Sequence, residues 1–150
     1  MEDEKGQIVT GNNLSRRNID DMLTKLKESL SIREDLAFVF LFGSFVTGGR
    51  NALSDLDIAV LFRGRVGFEK MCELREDLSE TLGIEVDVVV LNSASPVIKM
   101  QVLKKGMLLI DNDRRAYNEF FVSTVKEYDD LKRTRREVED NILRGRIYAR

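Results

Sequence analysis

The sequence of 150 residues predicts an α/β (α+β) fold, a small mixed β-sheet flanked by helices and continued by a long C-terminal helical tail. Three observations predict it. Apolar runs of strand length, rich in Val and Phe, alternate with stretches whose apolar residues recur every three or four positions, so strands and helices alternate along the chain. A glycine turn at Gly43 and Ser44 separates the first two apolar runs. Beyond residue 114 the pattern becomes a single seam stepping alternately four and three, with no further strand signal.

Residues 1–13 are polar, include Gly6 and Gly11, show no period, and read as a flexible leader. From Ser15 to Leu30, Ile19, Met22, Leu23, Leu26 and Leu30 follow helical spacing and predict an amphipathic cover helix. Leu36 to Phe42 is continuously apolar, as a strand buried on both faces requires, and it delivers Gly43 to the sheet edge. A second run, Ile58 to Phe62, follows the loop. Phe68, Met71, Cys72, Leu78 and Leu82 then repeat at helical intervals up to Gly83, a residue suited to a helix C-terminus. A strand is expected over Ile84 to Leu91. Ser95 with Pro96 makes a good helix start, and that helix runs to Gly106, before a last short strand at Met107 to Ile110. The expected organisation is a leader (1–13), one domain (14–113) and a helical extension of the same domain (114–150).

Charged residues make up 33% of the chain and nearly cancel at net −2, so no global positive field draws it to nucleic acid or to an anionic membrane. Direct nucleic-acid binding is not expected. The single cysteine, Cys72, excludes an internal disulfide, no stretch approaches the roughly 20 apolar residues of a membrane span, and the start MEDEK lacks signal-peptide character. A cytoplasmic protein with no membrane partner is expected. With no histidine, His-based zinc sites, Ser-His triads and imidazole bases are excluded, and acid-base work falls to carboxylates.

The chemistry concentrates between Leu41 and Phe62. Gly43 and Ser44 leave the first strand at a turn where a glycine lets backbone approach a ligand closely, and Gly48 lies inside the following loop. Asp55 and Asp57 stand at the head of the next apolar run; two apart on a strand, they share a face about 6.6 Å apart. Carboxylates that close repel unless a cation joins them. Hard divalent ions such as Mg²⁺ take carboxylates together with phosphate oxygens, which points to metal-assisted transfer of a nucleotide. A Gly-Ser turn alone, or Asp-x-Asp alone, is as well explained by turn and capping chemistry; the ordered combination between two strands is what carries the signal.

The spacing G-S-x10-D-x-D, here Gly43, Ser44, Asp55 and Asp57, resembles the signature of the minimal nucleotidyltransferases of the DNA polymerase beta superfamily, and within them the MntA-type antitoxins encoded beside HEPN-domain toxins. The resemblance implies a nucleotidyltransferase fold over roughly Leu14 to Asp111. It also implies a third carboxylate on a later strand, matched by Asp87, whose apolar neighbours Val86, Val88 and Val89 suggest a costly buried charge unless something pairs with it. Glu85 is expected to be solvent-exposed. Many relatives carry an arginine ahead of the loop glycine; Thr47 precedes Gly48 here, leaving Arg50 as the candidate basic residue at the triphosphate.

On this resemblance Asp55, Asp57 and Asp87 hold two Mg²⁺ ions and do the catalysis, while Gly43, Ser44, Gly48 and Arg50 bind ATP. The implied reaction transfers AMP to a tyrosine of a cognate HEPN toxin, within a possible hetero-oligomer. A small-molecule acceptor, as in aminoglycoside nucleotidyltransferases, and an antitoxin acting by binding alone are the alternatives. The tail seam passes through Tyr117, Phe121, Thr124, Tyr128, Leu131, Arg135, Val138 and Ile142, and two readings of it stay open: a solvated helix folded back on the sheet, or a helix that docks a partner.

Overall fold

The computed structural model describes the backbone of residues 11–43 and 56–148, and the side chains of residues 18–43 and 56–145. In chain order the elements are α1 (Gly11–Ser31), β1 (Leu36–Phe42), β2 (Leu56–Phe62), α2 (Phe68–Leu82), β3 (Val86–Val90), α3 (Pro96–Lys105), β4 (Met107–Asp111) and α4 (Arg114–Tyr148). The expected order of strands and helices is met. Helix α1 begins at Gly11, ahead of the expected start at Ser15, so residues 11–13 are helical rather than part of a loose leader. Residues 1–10 lie outside the described residues.

The four strands form one mixed sheet in the order β3-β2-β1-β4. Strand β1 pairs antiparallel with both β2 and β4, while β2 and β3 are parallel and joined across α2. Because β1 and β2 are central, their side chains are covered on both faces, which is why Leu36–Phe42 reads as an unbroken apolar run.

One face of the sheet, with Val39, Leu41, Ile58, Val60 and Val86, packs under Leu26 and Leu30 of α1 and Leu74 and Leu78 of α2. The other face, with Phe38, Phe40 and Ala59, packs under Val102 of α3 and Phe120 of α4. Phe38 is the hub of this second layer, with ring centroids 5.8 Å from Phe40, 5.6 Å from Tyr117 and 5.2 Å from Phe120. The helix ends follow their local chemistry. Gly83 closes α2 in the left-handed conformation (φ 68°), and Ser95 opens α3 by accepting the Ile98 N–H, with Pro96 in the first turn.

Two expectations need correction. Phe68, assigned to the apolar face of α2, is 75% exposed: the buried stripe of that helix runs through Leu74 and Leu78, and at 100° per residue Phe68 lies about 80–120° round the helix from them. The strand expected over Ile84 to Leu91 is shorter, Val86–Val90, although Glu85 still accepts from the Leu56 N–H and Leu91 donates to Val60.

Candidate active site

The candidate site lies at one end of the sheet. Strand β1 ends in Phe42, paired with Asp57, and Asp57 is in turn the register partner of Asp87 on β3. Side chains alternate along a strand, so Asp57 shares a face with Ala59 and Leu61, and Asp87 with Val89. That is the face covered farther along by α3 and α4. The two aspartates are therefore direct neighbours on adjacent parallel strands, with α-carbons about 4.8 Å apart.

Gly43 follows β1 with φ +80°, a conformation that a side chain opposes. A Cβ added there would overlap the Asp57 carboxylate, with Asp57 Cγ at 3.1 Å and Asp57 Cβ at 3.3 Å. The glycine is thus required twice, by backbone angle and by the space the carboxylate occupies.

Asp57 is half-buried and Asp87 exposed. The expectation that Asp87 carries a desolvation penalty amid its valines is corrected: Val86 points into the α1/α2 core, while Asp87 opens to solvent on the other face at the start of an edge strand. Glu85 is exposed, as expected. Of the remaining expected site residues, Ser44, Gly48, Arg50 and Asp55 lie outside the described residues. Strand β2 is described from Leu56, the residue after Asp55.

Sequence reasoning did not single out the lysines of the last turn of α3, Lys104 and Lys105. Gly106 follows them directly and sits against Phe40 and Leu41, so α3 ends on the carboxylate end of the sheet. The signal was present as a Lys-Lys-Gly before an apolar run, but only the pairing of Met107 with Leu41 gives it a place. A separate cleft of about 700 Å³, lined by residues that include Arg65, Phe68, Met71 and Asn92, opens at the opposite end of β2 and β3 and contains none of the signature residues.

The sequence pattern of the family described as Polymerase beta, Nucleotidyltransferase matches residues 24–115, spanning the whole sheet. The protein adenylyltransferase MntA of Shewanella oneidensis is 34% identical over 108 residues, which is 72% of this chain and 77% of that protein. This chain belongs to the polymerase beta nucleotidyltransferase family, in its MntA-type branch. The MntA adenylyltransferase of Thermococcus cleftensis is 35% identical over 92 residues, covering 61% of this chain and 93% of that one. Among solved structures, a toxin-antitoxin complex with AMP-PNP superposes with a TM-score of 0.64 at 30% identity, over 85% of this chain and 97% of that one. A tri-AMPylated HEPN toxin from Shewanella oneidensis in complex with its MNT antitoxin gives 0.61 at 28% identity, over 86% and 98%. The MntA-type fold thus extends over most of this chain, including the root of α4.

Proposed function

We propose that this MntA-type protein is a Mg²⁺-dependent protein adenylyltransferase and antitoxin, which moves AMP from ATP to a tyrosine hydroxyl of a cognate HEPN-domain toxin in the cytoplasm. The observation that carries the reading is the in-register Asp57–Asp87 pair beside the side-chain-free turn at Gly43. Likeness to adenylyltransferases and to an AMPylated toxin complex supports the substrate and the acceptor. No helix among the described residues is long and apolar enough to cross a membrane.

The donor set fits a hard cation: Asp57 and Asp87 offer carboxylate oxygens on one face, and Asp55 adds a third two residues before Asp57. Bound there, Mg²⁺ would neutralise phosphate charge and raise the acidity of the acceptor hydroxyl. The turn at Gly43 and Ser44, with the loop carrying Gly48 and Arg50, holds the triphosphate through backbone N–H groups, the Ser44 hydroxyl and the guanidinium. Asp87, solvent-open at the rim, takes the proton of the attacking hydroxyl. The oxygen bonds to the α-phosphorus, the bond to the β-phosphate bridge breaks, and pyrophosphate leaves. Positioning and charge neutralisation account for most of the catalysis in such reactions, so a four-stranded sheet suffices.

The test is transfer of label from α-³²P ATP, read with intact mass, to the cognate HEPN-domain protein. Wild type is expected to add whole AMP units. Asp55→Asn with Asp57→Asn should add none while still folding. A toxin silenced with no added mass would overturn the enzymatic reading in favour of inhibition by binding, and labelling of small aminoglycosides in its place would overturn the protein acceptor.

A further inference from the structure

We propose that Lys105, the last residue of α3, reaches the triphosphate from above β1, and that its ammonium group stabilises the negative charge that develops on the departing pyrophosphate. The role rests on the adenylyltransferase reading above and adds to it a cation that the Gly43, Ser44, Asp55, Asp57 signature does not contain.

The fold brings the end of α3 down onto the catalytic end of the sheet. Strand β3 runs from Asp87 away from the carboxylate end, so α3 starts at the far end and returns to begin β4 at Met107, opposite Leu41. Gly106 closes the contact, since a Cβ there would meet the Phe40 ring at 3.1 Å and the Leu41 carbonyl oxygen at 3.4 Å. A residue without a side chain lets the helix end rest this close. Along β1, Phe42 is paired with Asp57 and Gly43 follows. The last turn of α3 therefore stands over β1 beside the Gly43 turn, one strand spacing, about 4.8 Å, to the side of Asp57.

Helix geometry aims Lys105. Val102 is buried against the sheet and Gly106 touches it, which fixes the underside of α3. Lys99 pairs with Glu127 at 3.4 Å and Lys104 Nζ lies 5.6 Å from the Tyr128 ring centroid, which fixes the flank turned to α4. At about 100° per residue Lys105 is about 60° from Val102 and about 100–120° from Lys104 and Lys99, on the flank away from α4. Helix α4 arrives from β4, where Arg114 pairs with Asp111, and crosses β1 through Tyr117 and Phe120 before it meets the end of α3 at Tyr128. The opposite flank of α3 looks toward β2 and β3, where Asp57 and Asp87 stand on the same face of the sheet. Lys105 is exposed and, among the described residues, is in no ion pair.

The order of the strands assigns its task. Asp87, which takes the acceptor proton, is on β3, Asp57 is on β2, and the phosphate turn at Gly43 follows β1. A hydroxyl arriving from the β3 side bonds to the α-phosphorus, and the electron pair of the breaking bond passes to the bridging oxygen on the β1 side, beneath Lys105. Pyrophosphate gains negative charge as that bond breaks, and an ammonium already in place lowers the barrier without giving up a proton. The lysine also offsets the negative end of α3, whose last carbonyls would otherwise oppose a phosphate. Lys104 offsets that dipole equally, but it is turned to Tyr128.

The test is AMP transfer from ATP to the cognate HEPN-domain protein, beside titration calorimetry of this protein alone with pyrophosphate and with AMP, all in Mg²⁺. Lys105→Gln should lower kcat and weaken pyrophosphate binding by at least about tenfold each, with AMP affinity within about twofold of wild type. Its thermal melt should be unchanged, and Lys105→Arg, which keeps the charge, should recover most of both losses. Lys104→Gln should stay close to wild type. Equal losses in the two Gln variants would mean a general field rather than a contact, and unchanged kcat and pyrophosphate affinity in Lys105→Gln would mean no contact at all. Either result overturns the role of Lys105 while transfer by wild type leaves the adenylyltransferase reading standing. If wild type transfers no AMP, that reading falls and the role of Lys105 with it.

Discussion

Asp57 and Asp87 are register partners in the parallel β2–β3 ladder, so two carboxylates far apart in sequence stand side by side on one face of the sheet. Like charges placed directly opposite one another destabilise a sheet. Asp87 has no ion-pair partner among the described residues to offset this. The arrangement is therefore one that a bound cation would relieve.

Replacing Asp87 by Asn should remove the repulsion and keep the shape. Without Mg²⁺ the variant is expected to be more stable than wild type by up to about 1 kcal/mol, a rise in Tm of at most about 4 °C, while AMP transfer is lost. Calorimetric melting in EDTA reads the first effect; a Tm below wild type would show that Asp87 is held by a favourable contact instead.

Nucleotide affinity should depend on the metal for the same reason. If Asp55, Asp57 and Asp87 hold the metal as proposed, ATP binding in EDTA is expected to be at least about tenfold weaker than in Mg²⁺. Titration calorimetry under the two conditions measures the ratio, and equal affinities would count against a carboxylate metal site.

Gly43 and Gly83 form a controlled pair. Both have positive φ, but a Cβ at Gly83 meets nothing within 4 Å whereas one at Gly43 strikes Asp57. Gly83→Ala should cost only the left-handed backbone penalty, about 1–2 kcal/mol, with transfer unchanged. Gly43→Ala should cost more and abolish transfer by displacing the Asp57 carboxylate. Denaturant unfolding beside a transfer assay separates the two.

The root and the exposed end of α4 should respond differently to truncation. Phe120→Ala removes a buried ring packed against Phe38 and is expected to cost about 3 kcal/mol or more, whereas Val138→Ala on the exposed end of α4 should stay within about 0.5 kcal/mol. Urea midpoints on the isolated protein test this, and a large cost at Val138 would mean that this end is packed in solution.

Local chemistry made much of the fold legible in the sequence. The Gly83 stop, the Ser95-Pro96 start and the unbroken apolar run of β1 each act within a few residues, and each appears where the pattern puts it. Helix starts set by weaker signals did not: α1 extends back to Gly11, through Asn12 and Asn13, where no apolar period marks a helix. Phe68 misled because apolar residues at steps of three and four drift round a helix, and the buried stripe is set by Leu74 and Leu78.

The sequence by itself singled out candidates for the chemistry, because the spacing of Gly43, Ser44, Asp55 and Asp57 is a short-range feature of the chain. Only the tertiary structure decided that Asp87 stands beside Asp57, that it is solvent-open rather than buried among its valines, and that α4 returns to the carboxylate end before leaving the domain. These depend on strand order, register and the direction of a packed helix. The contacts that set them join residues tens of positions apart, and no periodicity along the chain records them.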